Sequence, residues 1–535
     1  MNADWTRAST CYRREFSLNL PSSANTIYRS ANNMSPLWAG SVLFSPGSSD
    51  GDFPSQDVIV VGDAQTDQYV LAGAVTCIRS QTYFTLKKRN TRFVCIEVVQ
   101  PSVADEGEPE EIIVLTGNDW RMLLIEYAER VAERLQLPSF ESRENLYGYC
   151  SWYYHFENVT EELFLSDVKS IMARPELPFS RGIAQVDAGY FPYHGDWLER
   201  KQTWPSTLSE VARRVSESGL IPGIWVAPMI ASSASRVFRE HPEWFVCGKD
   251  GQVLLFSGWS SPPDHQWACL DGSHPDALTY VAEVFRSMWD WGFRYFKLDA
   301  LGYGLADGMR YDSTETPVSA FRTVMRKIRE VIPHAHILAC SAPFLPVLGF
   351  VDSCRIGCDT GTHWDSDYSP KNCDRHPGRP GIANAWHDTI ANWWMVDRWY
   401  RADPDVVMAR QNKANYTIGE ARISAVASIL TGIVFTSDNL NLVDQDRLHI
   451  LRVASACRMQ EPLPLDWNPD RWPNVFGGKI DGKPAVAFVN DCETELTFRF
   501  EDYGLPSMVT ELLNGYGPVC DYITVPSHDA ALVRG

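Results

Sequence analysis

Two aspartates stand out because each closes a short apolar run: Asp299 in YFKLDAL and Asp359 just past VDSCRIG. A carboxylate on an apolar strand is costly to bury without a partner, so its presence calls for chemistry or for an ion pair. Lys297 lies two residues before Asp299, and side chains two apart on a strand share a face. Its ammonium would keep Asp299 ionised, as a nucleophile must be; the alternative is a purely structural ion pair. An acid partner needs the reverse, a proton retained near neutral pH. Arg355, four residues before Asp359, works against that unless its charge is spent on another group. Two carboxylates from distant parts of a chain, one attacking a carbon and one protonating the leaving oxygen, are the equipment of glycoside hydrolysis. A separation of about 5–5.5 Å suits a covalent, retaining route, whereas a wider gap admits a water and inversion.

The elements that must position these groups follow from the alternation of apolar runs and amphipathic segments. From residue 144 the runs LYGYCSW, GIAQVDAG, PGIWVAPM, YFKLDAL, HILACSA, VDSCRIG, PDVVMAR and GIVFTSD read as strands. Between several of them lie helical patterns such as TLSEVARRVSESG, DALTYVAEVFRSMWDWG and AFRTVMRKIREVI. Eight such units predict a (β/α)8 barrel over 144–454, with PDVVMAR the one segment that could instead begin a helix. Residues 1–143 read as a β-sandwich and 455–535 as a small β domain, because short β-prone runs there are separated by Gly, Pro, Ser and Asp turns. The acidic stretch 104–111 reads as a solvated hairpin connection. Barrel active sites lie at the C-terminal strand ends. Those ends carry Trp152, Asp187, Lys297 with Asp299, Cys340 with Ser341, Arg355 with Asp359, and Asp438.

The bulk composition narrows the partners. A net charge of -19 over 535 residues excludes a phosphate backbone as the natural ligand. Nothing approaches the roughly 20 apolar residues of a membrane span, and the N-terminal residues lack a signal-peptide pattern. Thirteen cysteines without a CxxC pair imply no disulfide framework. The expectation is a cytoplasmic protein acting on a neutral small molecule, with no cofactor and no metal. The heavy aromatic load, 19 Trp, 21 Tyr and 24 Phe, suits sugar stacking but also simple core filling.

Taken in order along the chain, YGYCSWYYHF, AQVDAGY followed by HGDWL, GLIPGIWVAPMI with EHPEWFV, YFKLDALGYG, CRIGCDTGTHW and RADPDVVMAR resemble the α-galactosidases of glycoside hydrolase family 36. That family joins a large N-terminal β-sandwich to a barrel, and the layout here is similar. The resemblance implies Asp299 as nucleophile and Asp359 as acid/base. It implies Lys297 and Arg355 on sugar hydroxyls, Trp259 as a pocket wall, and Asp187 as a sugar ligand. Trp152, Cys340 and Asp196 complete the candidate substrate contacts. One departure bears on specificity: where the family usually has two adjacent aspartates gripping the 4- and 6-hydroxyls of galactose, this chain has Asp187 and Ala188. The family's N-terminal Trp loop is likewise replaced by ANNMSPLWAG, with Trp38 a displaced substitute. A shifted sugar preference or sugar transfer therefore stays open beside hydrolysis of α-galactosides.

Plainer readings stand beside these. Asp359 and Asp187 could cap turns, and Trp259 could staple its loop. Cys340 could be a small residue tolerated at a crowded strand end. Asp403, Asp405 and Asp438 are expected to satisfy backbone groups or helix ends. His155, His194 and His363 form no metal-binding spacing. Outside the glycosidase class, a barrel lysine such as Lys297 could form a Schiff base and make the protein a lyase. A carbohydrate-binding protein without turnover is the non-enzymatic alternative.

Overall fold

The computed structural model describes residues 6–8, 11–21, 23–30, 41–42, 50–101, 108–139, 144–365, 380–466, 472–515 and 517–535. Trp38 and residues 104–107 of the acidic stretch lie outside them.

Nine short strands form one sheet. In chain order they are β1 (Leu146–Cys150), β2 (Ile183–Val186), β3 (Ile221–Val226), β4 (Tyr295–Leu298), β5 (His336–Ala339), β6 (Ser353–Arg355), β7 (Arg401–Asp403), β8 (Val406–Val407) and β9 (Ile433–Thr436). The order β7-β6-β5-β4-β3-β2-β1-β9-β8 makes the two outermost strands consecutive in the chain. Only Pro404 and Asp405 separate them. Parallel pairing is seen from Gly148 with Ile183, from Tyr295 with His336 and from Val406 with Phe435. The PDVVMAR segment is thus a strand, not a helix start. Every residue of β2, β4 and β9 is buried, the pattern of parallel strands covered on both faces.

Helices begin where the sequence supplies caps. Thr316 and Ser319 form a reciprocal capping box with Pro317 at the first position of helix Pro317–Val331, and Thr417 with Glu420 does the same for Ile418–Thr431. The second helix stops at Gly432, whose φ of 80° is left-handed.

The chain divides into two compact units. The first holds residues 1–139, 190–210 and 224–354. Within it, two five-stranded antiparallel sheets enclose a core of Phe16, Ile59, Val61, Val70, Phe84, Leu86, Ile96 and Val98. The N-terminal region is not all β as read from sequence: Trp120–Leu135 is a helix capped by Asp119. Its apolar side (Trp120, Leu123, Leu124, Tyr127, Ala128, Val131) is buried. Tyr127 donates to the Ala74 carbonyl at 2.6 Å. Gly73 permits that approach, since a Cβ there would meet the Tyr127 ring at 2.4 Å. A three-stranded insertion, Ile230–Ser232, Leu255–Ser257 and Gln266–Cys269, follows β3 in the same unit.

The second unit holds residues 140–189, 211–223 and 355–535. Its C-terminal part is a six-stranded antiparallel sheet with a two-stranded companion, packed around Val475, Val486, Phe488, Phe498, Phe500 and Val533. Among the described residues, no helix is long and apolar enough to cross a membrane.

Candidate active site

In the first unit, Asp299 follows the last residue of β4 and is partly exposed. Its two oxygens take three donors. The Ala300 backbone N–H reaches Oδ1 at 2.7 Å, the Ser341 hydroxyl reaches the same atom at 2.9 Å, and the Trp225 indole N–H reaches Oδ2 at 3.0 Å. Ala300 and Ser341 are non-glycine residues with left-handed φ of 53° and 46°. Such conformations cost about 1–3 kcal/mol and persist where the surroundings impose them; here they turn an N–H and a hydroxyl onto one carboxylate. Burial pushes the Asp299 carboxyl upward, but the nearby Lys297 charge and the three hydrogen bonds outweigh it and hold the group below the usual carboxylate value. Lys297 is buried on β4, two residues back. The carboxylate is therefore ionised, oriented and reachable, which is what nucleophilic attack needs.

Other predicted residues in this unit have separate surroundings. Cys340 is buried and donates its backbone N–H to the Leu298 carbonyl at 2.7 Å; it is its neighbour Ser341 that holds Asp299. Trp259 sits in the loop after Leu255–Ser257 and is 37% exposed. Its ring stands edge-on to Trp267 at 4.3 Å and to His194 at 6.0 Å, so it is both stapled and open on one side. Asp196, a candidate sugar contact, holds backbone groups. It is buried, and it accepts the backbone N–H of Arg236 at 3.0 Å and of Val237 at 3.2 Å. It takes the first two N–H groups of helix Arg236–Glu240, whose N-cap Ser235 accepts the third, from Phe238.

In the second unit, Arg355 at the end of β6 is buried and its guanidinium is shared. Nε donates to Asp403 at 2.9 Å, Nη2 to Asp405 at 2.9 Å, and Nη1 to Asp359 at 3.1 Å. Tyr153 also donates to Asp405, and the Thr360 backbone N–H joins them at 2.8 Å. Among the described residues, one guanidinium thus serves three carboxylates. Asp359 is the most open of the three, with a side-chain exposure of 27% against 5% and 1%. A partly exposed carboxyl of this kind can deliver a proton to a leaving group.

Asp403 and Asp405 serve backbone groups as expected, accepting the N–H of Asp405 at 3.0 Å and of Thr360 at 2.8 Å respectively, and both are also ion-pair partners of Arg355. Asp438 likewise satisfies backbone groups, those of Ala409 and Arg410. Asp187 is buried and accepts from Gln185 at 2.6 Å and from its neighbour's N–H on Ala188 at 2.9 Å. Trp152 opens a short helix and is edge-on to Phe156 at 5.3 Å.

Residues 191–315 match the family model described as Melibiase. This stretch contains Trp225, Trp259, Lys297 and Asp299 but neither Asp187 nor Asp359. Among curated proteins, "Alpha-galactosidase AgaA" of Geobacillus stearothermophilus is 27% identical over 34% of this chain and 24% of its own length. An "Alpha-galactosidase" of Escherichia coli is 26% identical over 32% of this chain and 25% of its own. The aligned part of the chain thus spans about a quarter of these relatives. Among solved structures, the α-galactosidase TtGalA of Thermus thermophilus, in complex with p-nitrophenyl α-D-galactopyranoside, superposes with a TM-score of 0.70 at 22% identity. That match covers 90% of this chain and 93% of the other, and the two share the fold.

Proposed function

We propose that this protein, a glycoside hydrolase of the family 36 α-galactosidase type, is a retaining exo-acting α-glycosidase that releases a terminal α-linked galactose or a closely related sugar. The observation that carries the reading is the Asp299 carboxylate, kept ionised by Lys297 and aimed by Trp225, Ser341 and Ala300. The Melibiase match over 191–315 and the printed activities of the relatives support the sugar class.

In this reading Asp299 attacks the anomeric carbon while its bond to the leaving oxygen breaks, and Asp359 passes its proton to that oxygen. The result is a glycosyl ester on Asp299 and an Asp359 carboxylate. A water then gives a proton to Asp359 and its oxygen to the same carbon, releasing Asp299 and the sugar. Two inversions leave the anomeric configuration unchanged. Lys297, Arg355, Asp187, Trp152, Cys340 and the open side of Trp259 supply the sugar contacts in this proposal. The three-part division 1–143, 144–454 and 455–535 is the architecture we assign to it, and the cytoplasm is the proposed compartment.

Lys297 acts here as a fixed charge rather than a Schiff-base nucleophile, because the neighbouring Asp299 carboxylate favours its protonated form. A second reading rests on Ala188. Its methyl group offers no acceptor for a sugar hydroxyl, which favours a substrate altered at C4 or C6, or transfer to another sugar. A panel of p-nitrophenyl α-glycosides, with the first product anomer read by NMR, tests both readings. The α-anomer should appear first. An initial β-anomer, or no turnover of any α-glycoside, overturns the proposal.

A further inference from the structure

The loop after β2 carries a buried histidine that none of these roles uses. His194 is 1% exposed. Its ring Nδ1 lies 2.6 Å from Oδ2 of Asp264, and its backbone N–H donates to both oxygens of that carboxylate at 3.3 and 3.4 Å. Its carbonyl accepts from the Ser232 N–H at 2.7 Å. The carboxylate fixes Nδ1 as a protonated nitrogen. Nε2 is buried and has no hydrogen-bond partner among the described residues.

The surroundings of the ring are aromatic. Trp267 lies at 4.7 Å, Phe191 at 4.9 Å, Trp197 at 5.8 Å, Trp225 at 5.8 Å and Trp259 at 6.0 Å, centroid to centroid. A phenyl ring would fill such a box without leaving a nitrogen unpaired, and an unpaired buried polar atom is costly. This chain instead has a histidine there, with Asp264 pinning the ring in one orientation. The pinned ring stands edge-on to Trp225, at 79°. Trp225 is held on its other sides by Phe191, stacked at 5.7 Å, and by Trp197 at 5.9 Å. Its indole N–H is the donor to Asp299 Oδ2.

We propose that His194, locked by Asp264, is a positioning residue for the nucleophile: it fixes the Trp225 indole so that its N–H stays on Asp299. The contacts run in one line, from Asp264 to His194 to Trp225 to Asp299. The inference rests on Asp299 being the nucleophile. Tilting the indole by a fraction of its width would lengthen a 3.0 Å bond past useful hydrogen-bond range. Asp299 would then lose one of its three donors and much of the orientation needed for attack.

The test uses His194→Ala, His194→Phe, Asp264→Asn, Trp225→Phe and the double variant His194→Ala/Trp225→Phe of the full chain. The indole N–H spectrum of the ¹⁵N-labelled, unliganded protein is recorded, with the Trp225 signal identified by its loss in Trp225→Phe. His194→Ala and Asp264→Asn should move that signal in the direction of a weaker hydrogen bond. His194→Phe, which refills the box, should move it too while keeping the wild-type melting temperature more closely. On p-nitrophenyl α-galactoside, His194→Ala should lower kcat about tenfold, the effect of weakening one hydrogen bond to a charged group, with KM changed by less than about threefold. The double variant should be no more than about twofold slower than Trp225→Phe alone, because both changes break the same chain of contacts. An unmoved Trp225 signal in both His194 variants, or losses that multiply in the double variant, overturns the proposal. Retained turnover in Asp299→Ala overturns the nucleophile assignment instead, and the indole spectrum still judges the His194–Trp225 contact.

Discussion

Arg355 gives Asp359 one hydrogen bond, Nη1 to Oδ1 at 3.1 Å, from a guanidinium whose Nε and Nη2 are already held at 2.9 Å by Asp403 and Asp405. The positive charge nearest the proposed acid is therefore divided three ways. This is how an arginine four residues away is compatible with a carboxyl that must hold a proton. Removing one competitor should return the charge to Asp359. Asp403→Asn is expected to shift the basic limb of the kcat/KM–pH profile downward, since that limb reports the proposed acid in the free enzyme. An unchanged basic limb would mean that Asp403 has no influence on the proton donor.

In this account the acidic limb reports the proposed nucleophile. Asp299 lies below the ordinary carboxylate value because Lys297 and three donors overcome the effect of burial. Ser341→Ala deletes one donor, so the group should ionise at higher pH. The acidic limb should move up by less than about one unit, with a kcat loss of about tenfold. A limb that stays in place would mean that the Ser341 hydroxyl contributes nothing to the ionised state.

Asp196 and Ala188 separate stability from specificity. Asp196→Ala should cost about 1 kcal/mol of stability by leaving the Arg236 and Val237 N–H groups without their buried acceptor, with kcat/KM on any sugar unchanged. Ala188→Asp should instead raise the preference for plain α-galactosides over sugars altered at C4 or C6. Melting curves and a substrate panel on the two variants decide both points. A specificity change in Asp196→Ala would restore that residue to the sugar site.

Much of the fold was legible because most barrel strands are short apolar runs followed by a polar residue, and the strand-end rule located Asp299 and Asp359 as candidates. What escaped is what joins residues far apart in sequence. Asp403 and Asp405 lie 48 and 50 residues from the arginine they bind, and no local pattern announces an ion pair at that distance. Trp225 was within reach: it stands near the C-terminal end of β3, where the strand-end rule applies, but an indole on an apolar strand reads as core. The helix Trp120–Leu135 was also within reach. Its buried positions 120, 123, 124, 127, 128 and 131 have helical spacing, and Asp119 announces the start.

A second titrating group lies far from this chemistry. Asp57 is buried in the N-terminal sheets, and neither carboxyl oxygen has a hydrogen-bond partner among the described residues. Burial pushes its pKa up to about 7. The unfolded chain releases this proton near pH 4 and the folded chain only near 7, so stability falls as pH rises through that window and levels off above it. Asp57→Asn mimics the protonated state. Its melting temperature should match the wild type near pH 4 and exceed it at pH 8, by a stabilisation of as much as about 4 kcal/mol. Parallel curves at all pH values would contradict this.

The central claim is that Asp299 forms a covalent bond with the sugar, and azide rescue tests it most directly. Asp299→Gly should be folded and slower by at least about a thousandfold on an activated α-galactoside. Added azide should restore turnover, and the product should be a glycosyl azide of β configuration, because the small anion enters from the face the carboxylate vacated. Near wild-type hydrolysis by Asp299→Gly, or no azide adduct at any concentration, would contradict the account.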